Sequence, residues 1–141
     1  MAFKKSKYPI VLFLNSDVYV KDDTLEKTLI YFKNENCDVL GPKLVFGDGK
    51  FQPSTGNLPN PLNTIFWILG ISLIPIVGPL TNAFHPGHKS FFKSPTAVPV
   101  GWVTGAFLMI RRGVFQKVGG FDENIFMYLD EVDLCKRIKD K

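Results

Sequence analysis

Two acidic segments of this chain have the residue types of a catalytic centre. Near the C-terminus, the double glycine Gly119-Gly120 leads through an aromatic run to adjacent carboxylates, Asp130 and Glu131, at a predicted helix start. Near the other end, Asn15-Ser16-Asp17 directly follows the apolar run Ile10–Leu14. Two separate acidic groups on a chain of 141 residues suggest a metal ion at one and a proton-accepting base at the other.

The first acidic group offers oxygen ligands for a divalent cation. Asp17 follows a predicted buried strand, and ligand sites in open α/β sheets collect beyond the carboxyl ends of the strands. Asn15 lies two residues earlier, on the same side of an extended chain. Their side-chain oxygens suit a hard cation and leave positions for a diphosphate. The same residues also fit a plain Asx turn at the end of a strand.

The second acidic group predicts a base on the last helix. Glu131 shares a helix face with the apolar residues at the spacing i+3, i+4 and i+7, which are Leu134, Cys135 and Ile138. A helix N-terminus stabilises negative charge, which keeps Glu131 ionised at neutral pH and able to accept a proton from a reacting hydroxyl. Alternatively, the acids of the first turn only complement the helix dipole.

The elements that must position these residues are of mixed α/β type. The apolar run Ile10–Leu14 is typical of a strand buried on both faces of a parallel sheet. Asp23 and Glu26 have the spacing of a capping box, which predicts an amphipathic helix over residues 23–35. The other predictions are a strand Asp38–Phe46 with a hairpin turn at Gly47-Asp48-Gly49, a strand Val98–Ile110 with a bulge or close approach at Gly105, a short helix Arg111–Val118 stopped by Gly119, and a helix from Leu129 to the end.

The middle of the chain is apolar and carries no formal charge from Phe51 to His88. Within it, Leu62–Leu80 reaches the lower length limit of a bilayer span. Pro75 and Pro79 favour instead a short helix followed by an irregular apolar loop. We expect this segment either to bury against the protein or to dip one face into the lipid interface, with a full crossing as the weakest alternative.

Composition indicates a single globular domain with an anionic partner. Hydrophobic residues make up 45% of the chain, and the formal net charge is +4. That charge suits a phosphate-bearing substrate or an acidic membrane surface. Nucleic acid is not an expected partner, since no basic repeat interleaved with aromatic residues appears. Cys37 and Cys135 lack the spacing of a zinc site or a disulfide framework, which favours reduced thiols in the cytoplasm over export.

Taken together, these segments resemble the inverting family 2 glycosyltransferases, and most closely their rhamnosyltransferase-like branch. The order and rough spacing of the motifs hold from about Tyr8 to Ile138. The matching stretches are Val11–Asp17, Gly41–Leu44, Asp48-Gly49, Gln52–Ser54, Trp102–Ala106, Arg111-Arg112, Val118–Glu123, Phe126–Tyr128 and Val132–Cys135.

The resemblance implies a fold and a reaction. The fold would be a partial nucleotide-diphospho-sugar transferase fold (GT-A, Rossmann-like) that lacks its N-terminal nucleotide-binding strands, with residues 1–141 as part of the catalytic domain and 62–80 as its apolar segment. A sugar would pass from a nucleotide-sugar donor to a glycan or lipid-linked acceptor with inversion, and only as part of a larger protein. Mg²⁺ or Mn²⁺ would be held by Asp17 and Asn15. Glu131 would be the catalytic base and Asp130 the fallback, although relatives usually show Glu-Asp at this pair.

Further expectations concern substrate contacts and location. The residues expected to contact the substrates are Trp102, Thr104, Gly105, Ala106, Gly120, Phe121, Asp122 and Tyr128. We expect a cytoplasmic protein that contacts the inner face of the membrane peripherally or forms a homo-oligomer. The alternative is a noncatalytic remnant that binds a partner or a membrane through the apolar middle of the chain.

Overall fold

The computed structural model describes residues 2–71, 74, 76, 94 and 96–141. The chain divides into two units, of which the first combines Met1–Pro42 with Thr104–Lys141 and the second is Lys43–Val103. In chain order, the elements are α1 (Ala2–Lys5), β1 (Ile10–Leu14), α2 (Thr24–Asn34), β2 (Val39–Leu40), β3 (Leu44–Val45), β4 (Phe51–Gln52), β5 (Thr55–Gly56), α3 (Pro61–Ile68), β6 (Trp102–Val103), β7 (Phe107–Arg111), α4 (Arg112–Lys117) and α5 (Asp130–Lys139). The mixed α/β class is confirmed.

The first unit is built on a three-stranded sheet of order β1-β7-β2. Both outer strands run antiparallel to β7, with Phe13 opposite Leu108 and Val39 opposite Ile110. The central strand carries the buried core, because Phe107 to Ile110 are each at most 2% exposed. The prediction that β1 is buried in a parallel sheet was wrong. Since β1 pairs only with β7 among the described strands, its side chains are half-buried and Leu14 is exposed.

Aromatic rings join β1 to the segment after α4. Phe13 lies 5.1 Å from Phe115 and 5.0 Å from Phe121, measured between ring centroids. Phe3 completes the cluster at 4.8 Å from Phe115. Edge-to-face and tilted aromatic pairs at these distances stabilise a fold by more than the apolar area that they bury would account for. The cluster therefore holds the double-glycine turn against the strand that precedes Asn15.

The double-glycine turn needs its glycines. Gly119 and Gly120 both have positive φ, 83° and 80°, in the region that residues with a side chain rarely adopt. The N–H of Gly120 donates to the carbonyl of Phe115 at 2.9 Å and so closes α4. The predicted helix stop at Gly119 is confirmed, and the helix itself spans one residue less at each end than predicted.

Arg137 on α5 braces this turn. Its guanidinium donates to the carbonyls of Val118 at 2.5 Å and Gly120 at 2.8 Å. It also donates to the Asp133 carboxylate at 2.8 Å through Nε. One half-buried side chain thus ties the last helix to the turn before it. The guanidinium can do this because it presents several N–H donors in a fixed planar fork, which the ammonium of lysine does not.

Replacing Arg137 by glutamine is expected to lower the free energy of unfolding by about 2–3 kcal/mol, because hydrogen bonds from a charged group to two carbonyls and a carboxylate are lost together. Urea denaturation followed by circular dichroism measures this. Lys139→Gln, an exposed change on the same helix, is the matched control and should stay within about 0.5 kcal/mol of the wild type. Equal stability of the Arg137 variant and the control would show that the brace contributes nothing.

Two other predictions need correction. The helix after β1 forms as expected, but the capping box does not, since Asp23 makes no side-chain cap bond. Its carboxylate instead bonds the ammonium of Lys27 one turn later, which holds the pKa of Asp23 below its usual value.

The long strands predicted over residues 38–46 and 98–110 are each interrupted. Gly41-Pro42 separates β2 from β3, since proline has no N–H for a ladder, and Thr104–Ala106 separates β6 from β7.

The second unit contains two small antiparallel pairs. In the hairpin β3–β4, Leu44 lies opposite Gln52, and the N–H of Phe46 donates to the carbonyl of Lys50 at 2.8 Å. The hairpin predicted at Gly47-Asp48-Gly49 is therefore confirmed. The other pair joins β5 to β6 and buries Trp102.

The helix of the second unit, α3, begins in a true capping box. The Asn60 side chain accepts from the N–H of Asn63 at 2.9 Å, and the Asn63 side chain accepts from the N–H of Asn60 at 2.8 Å. This confirms the short helix predicted at the start of Leu62–Leu80. The apolar loop predicted after it lies largely outside the described residues. Within the part of the chain that is described, no helix has the length and apolarity needed to span a bilayer.

Candidate functional site

The site lies where the start of α5 approaches the segment before β7. The backbone N–H of Gly105 lies close enough to the carboxylate of Glu131 to lower the pKa of that carboxyl. On the other side of the same segment, the N–H of Asn15 donates to the carbonyl of Ala106 at 3.1 Å. Thr104–Ala106 therefore lies beside both acidic regions that the sequence singles out. The end of β1 and the start of the last helix share one neighbour in the first unit.

The segment itself is a tight turn with open space beside it. The N–H of Ala106 lies 3.4 Å from the hydroxyl oxygen of Thr104, a local bond that bends the backbone. A Cβ placed on Gly105 would meet no atom within 4 Å among the described contacts. The glycine is thus not required by packing, and the backbone beside Glu131 is approachable from outside.

Glu131 and Asp130 form an adjacent carboxyl pair. Both side chains are half-buried at the start of α5. Burial raises the pKa of Glu131 above its ordinary value, and the hydrogen bond to the neighbouring Asp130 carboxyl raises it further. The N–H of Gly105 acts in the opposite direction by stabilising the ionised form. The backbone N–H of Glu131 itself, at the start of the helix, also favours the ionised form, but burial opposes it.

The raised pKa predicts that Glu131 costs stability. Between the ordinary pKa of glutamate and the raised one, the folded state holds more protons than the unfolded state, so stability falls as pH rises through that window. We expect Glu131→Gln to be more stable than the wild type at pH 7, by up to about 1 kcal/mol, the scale of interactions between partly exposed charges. The difference should vanish below about pH 4, where glutamate is protonated in both states.

Thermal and urea unfolding across this pH range measure the effect. The matched control is Glu123→Gln, which makes the same change at an exposed glutamate of the same unit. A wild type that gains stability over Glu131→Gln as pH rises would contradict the expected sign.

The predicted metal ligands stand at the end of β1. Asn15 and Asp17 are both exposed, and the structure shows no hydrogen bond or ion pair from the Asp17 carboxylate to another described residue. The described residues contain no group of three or more histidine, cysteine or acidic side chains that could enclose a metal. One carboxylate and one amide nonetheless fit Mg²⁺ or Mn²⁺, which bind proteins through few side chains and take phosphate and water oxygens as further ligands.

The segment before Glu131 is exposed and strained. Phe126 is 94% exposed and Tyr128 77% exposed. Tyr128 and Leu129 have φ of 63° and 64°, two successive left-handed conformations in residues that carry side chains. Such conformations cost of order 1–3 kcal/mol each and cluster at functional sites. Tyr128, predicted to contact substrate, thus lies in solvent three residues before the predicted base.

The other predicted substrate contacts fall into two places. Gly120, Phe121 and Asp122 line an open cavity of about 360 Å³, whose wall also includes Arg137 but neither Glu131 nor Gly105. There the Asp122 carboxylate accepts the N–H of Asn124 at 2.9 Å, which lowers the pKa of Asp122. Trp102 is buried in the second unit. Substrate contact stays a prediction for all of these residues.

Sequence spacing gave no sign of the Arg137 brace, since the carbonyls that Arg137 bonds lie 17 and 19 residues away.

Comparison with known proteins finds relatives that transfer sugars. An N-acetylglucosaminyl-diphospho-decaprenol L-rhamnosyltransferase from Mycobacterium tuberculosis is 34% identical over 101 residues, covering 70% of this chain and 31% of the relative. A low-salt glycan biosynthesis hexosyltransferase from Haloferax volcanii is 26% identical over 92% of this chain and 36% of its own length. A rhamnosyltransferase from Escherichia coli is 28% identical over 98% of this chain and 50% of its own length.

The chain thus spans between about a third and a half of the length of these relatives. Several of them are rhamnosyltransferases or hexosyltransferases of family 2 type, which confirms the resemblance read from the sequence. No family model matches the chain, and no solved structure matches it. The described α/β elements fit a fragment of the GT-A type.

Proposed function

We propose, from the premise that this chain is a homologue of family 2 glycosyltransferases, that it forms part of a catalytic domain that transfers a sugar from a nucleotide-sugar donor to a glycan or lipid-linked acceptor. One observation carries the proposal: in the Thr104–Ala106 turn, Gly105 lies near the Glu131 carboxylate and the carbonyl of Ala106 accepts a hydrogen bond from the N–H of Asn15. A base and a candidate metal-binding segment flanking one approachable turn are the parts that such a transfer needs.

In the proposed reaction, Glu131 accepts the proton of the acceptor hydroxyl. The acceptor oxygen forms a bond to the anomeric carbon of the donor sugar as the bond from that carbon to the diphosphate breaks. One displacement inverts the configuration, and no covalent sugar-enzyme intermediate forms. Burial raises the pKa of Glu131, which makes the ionised carboxylate a stronger base, and the nearby Gly105 N–H acts against this shift. The lack of a side chain at Gly105 lets substrate approach the carboxylate closely.

Asp17 and Asn15 would hold a divalent cation, Mg²⁺ or Mn²⁺. When bound, this cation supplies positive charge that stabilises the departing diphosphate. The support is the exposed pair of oxygen-bearing side chains directly after β1, on the strand end that neighbours Ala106.

The acceptor that suits the site best has an apolar part. Phe126, Met127, Tyr128 and Leu129 are four successive apolar or aromatic residues, each more than half exposed, immediately before the acid pair. An exposed apolar run beside a base favours contact with an apolar portion of a substrate. A lipid-linked sugar fits this chemistry, as it does the name of the mycobacterial relative.

A transfer assay tests the proposal. The full chain is incubated with a labelled nucleotide-activated L-rhamnose or hexose, a polyprenyl-diphosphate sugar as acceptor, and Mn²⁺ or Mg²⁺, and labelled lipid is extracted. We expect transfer that requires donor, acceptor and cation, and a product whose anomeric configuration by NMR is opposite to that of the donor. Retention of configuration, or unchanged transfer after chelation of the cation, would refute the corresponding part of the proposal.

The same assay tests the alternative that the protein is noncatalytic. This alternative stands because the chain matches only part of each relative. A folded chain that binds neither donor nor acceptor, measured by calorimetry, and transfers no sugar would favour a partner- or membrane-binding remnant.

A further inference from the structure

Residues 121–129 form a loop between the double-glycine turn and the start of α5. Its first half is tied locally, because the Asp122 carboxylate accepts the N–H of Asn124 at 2.9 Å and the Asp122 carbonyl accepts the N–H of Ile125 at 3.2 Å. In its second half, Phe126 to Tyr128 are each at least 60% exposed. Among the described residues, no hydrogen bond joins these three to another element. The position of this exposed half therefore depends on what holds the two ends of the loop.

One nitrogen of Arg137 bridges the two ends. Its Nη2 lies 2.8 Å from the carbonyl oxygen of Gly120, directly before the loop, and 2.6 Å from a carboxylate oxygen of Asp133, in the first turn of the helix after it. The N–H of Asp133 donates in turn to the carbonyl of Leu129, the last residue of the loop, at 2.9 Å. A single guanidinium and its carboxylate partner thus close the base of the 121–129 loop.

The end of the loop needs such a closure because its backbone is strained. Tyr128 and Leu129 both adopt left-handed angles, and residues with side chains keep such angles only where the surrounding structure fixes them. Part of that support is the packing of the buried residues of α5, which are Val132, Leu134 and Cys135. Arg137 adds the link between α5 and the turn that precedes the loop.

Arg137 also faces the loop itself. It forms part of the wall of the open cavity of about 360 Å³. Hydrogen bonds from Asn124 lower the pKa of Asp122, and the positive charge of Arg137 adds to this effect. Asp122 and Tyr128 are predicted substrate contacts, and Glu131 lies two residues beyond the end of the loop. A movement of the loop would therefore displace a bound acceptor relative to the proposed base.

We infer that Arg137 is a positioning residue for the acceptor, because it holds the base of the 121–129 loop closed and so sets the distance between the acceptor and Glu131. This inference rests on the proposed transfer reaction, which supplies both the acceptor and the base. Arg137 acts through its neighbours, since two carbonyls and a carboxylate take up its guanidinium. A misplacement of about 1 Å can cost on the order of a hundredfold in rate.

Arg137→Lys tests this role, because lysine keeps the positive charge and loses the planar fork. The matched control is Arg112→Lys. Arg112 makes a similar brace in the same unit, with bonds to the Tyr8 carbonyl and the Ser6 hydroxyl, both at 2.7 Å. We expect Arg137→Lys to raise the KM of the acceptor and to lower kcat/KM for it by about tenfold to a hundredfold. The Kd of the donor should stay within about twofold, and Arg112→Lys should match the wild type in both measurements.

The split between the two substrates distinguishes positioning from a purely structural role. A variant that is only less stable has fewer folded molecules, and its folded molecules keep the KM of the wild type. Should circular dichroism show that Arg137→Lys is unfolded, Asp133→Asn takes its place, since it removes only the charge at the helix end of the bridge. The same direction of change is expected for it. A kcat/KM for the acceptor equal to that of Arg112→Lys would overturn the inference.

Hydrogen exchange separates this inference from the proposed function. The amides of residues 121–129 should exchange at least about tenfold faster in Arg137→Lys than in the wild type or in Arg112→Lys, whether or not the chain transfers sugar. A wild type that transfers no sugar would refute the proposed function, and the exchange rates would still decide whether Arg137 holds the loop. Unchanged exchange of these amides in Arg137→Lys would overturn the inference.

Discussion

Replacing Glu131 by glutamine is expected to lower the turnover number of sugar transfer by roughly a thousandfold, within the range attributed to general base catalysis. Glutamine keeps the length of the side chain and one of its two oxygens, so the shape of the site is preserved while the proton acceptor is lost. Donor affinity should change little. Initial rates and calorimetric titration of the donor measure the two effects separately.

Asp130→Asn is the matched control for that result. Asp130 is also half-buried and lies beside Glu131, but we do not assign it the role of accepting the proton of the acceptor hydroxyl. Because the Asp130 carboxyl raises the pKa of Glu131, its replacement should move the acid limb of the pH–rate profile to lower pH and leave most of the activity. If Asp130→Asn is inactive and Glu131→Gln is not, the base is Asp130.

The second large effect is expected at Asp17. Asp17→Asn should lower kcat/KM by about a hundredfold to a thousandfold, since a cation held there would supply several kcal/mol of charge stabilisation to the departing diphosphate. Stability should remain within about 0.5 kcal/mol of the wild type, because the side chain is exposed. Raising the concentration of Mn²⁺ should recover part of the lost rate.

The control for Asp17 is Asp22→Asn. Asp22 is an exposed aspartate five residues later and has no assigned role. It should retain wild-type activity and cation dependence. Equal activity of the Asp17 variant and this control at limiting cation would remove Asp17 from the metal site.

Sequence patterns predicted those elements whose cause is local. The hairpin at Gly47-Asp48-Gly49 and the helix stop at Gly119 follow from backbone angles that glycine adopts easily, and the structure has both. Helix α2 follows from its apolar spacing and begins within a residue of the expected position. Its capping box failed because Lys27 offered the Asp23 carboxylate a stronger, charged partner one turn away.

Features that depend on pairing between distant segments could not be predicted in this way. The five-residue run of β1 has the composition of a central strand, yet the central position belongs to β7, whose sequence is no more apolar. Nothing in the spacing of residues locates Gly105 beside Glu131, 26 positions later. The order of the motifs in related proteins suggested that both line one cleft, and the structure places these two residues near each other.

The conformations of Tyr128 and Leu129 have a consequence for how the molecule tolerates heat. The backbone of these two neighbouring residues is strained. It keeps this conformation only while the start of α5 is held by the packing of its buried residues Val132, Leu134 and Cys135. If that packing loosens, Tyr128 and Leu129 relax to ordinary backbone angles first, and the carboxyl groups of Asp130 and Glu131 lose their fixed positions. Warming should therefore abolish activity at temperatures where circular dichroism still records an intact fold, because the site is less stable than the rest of the molecule.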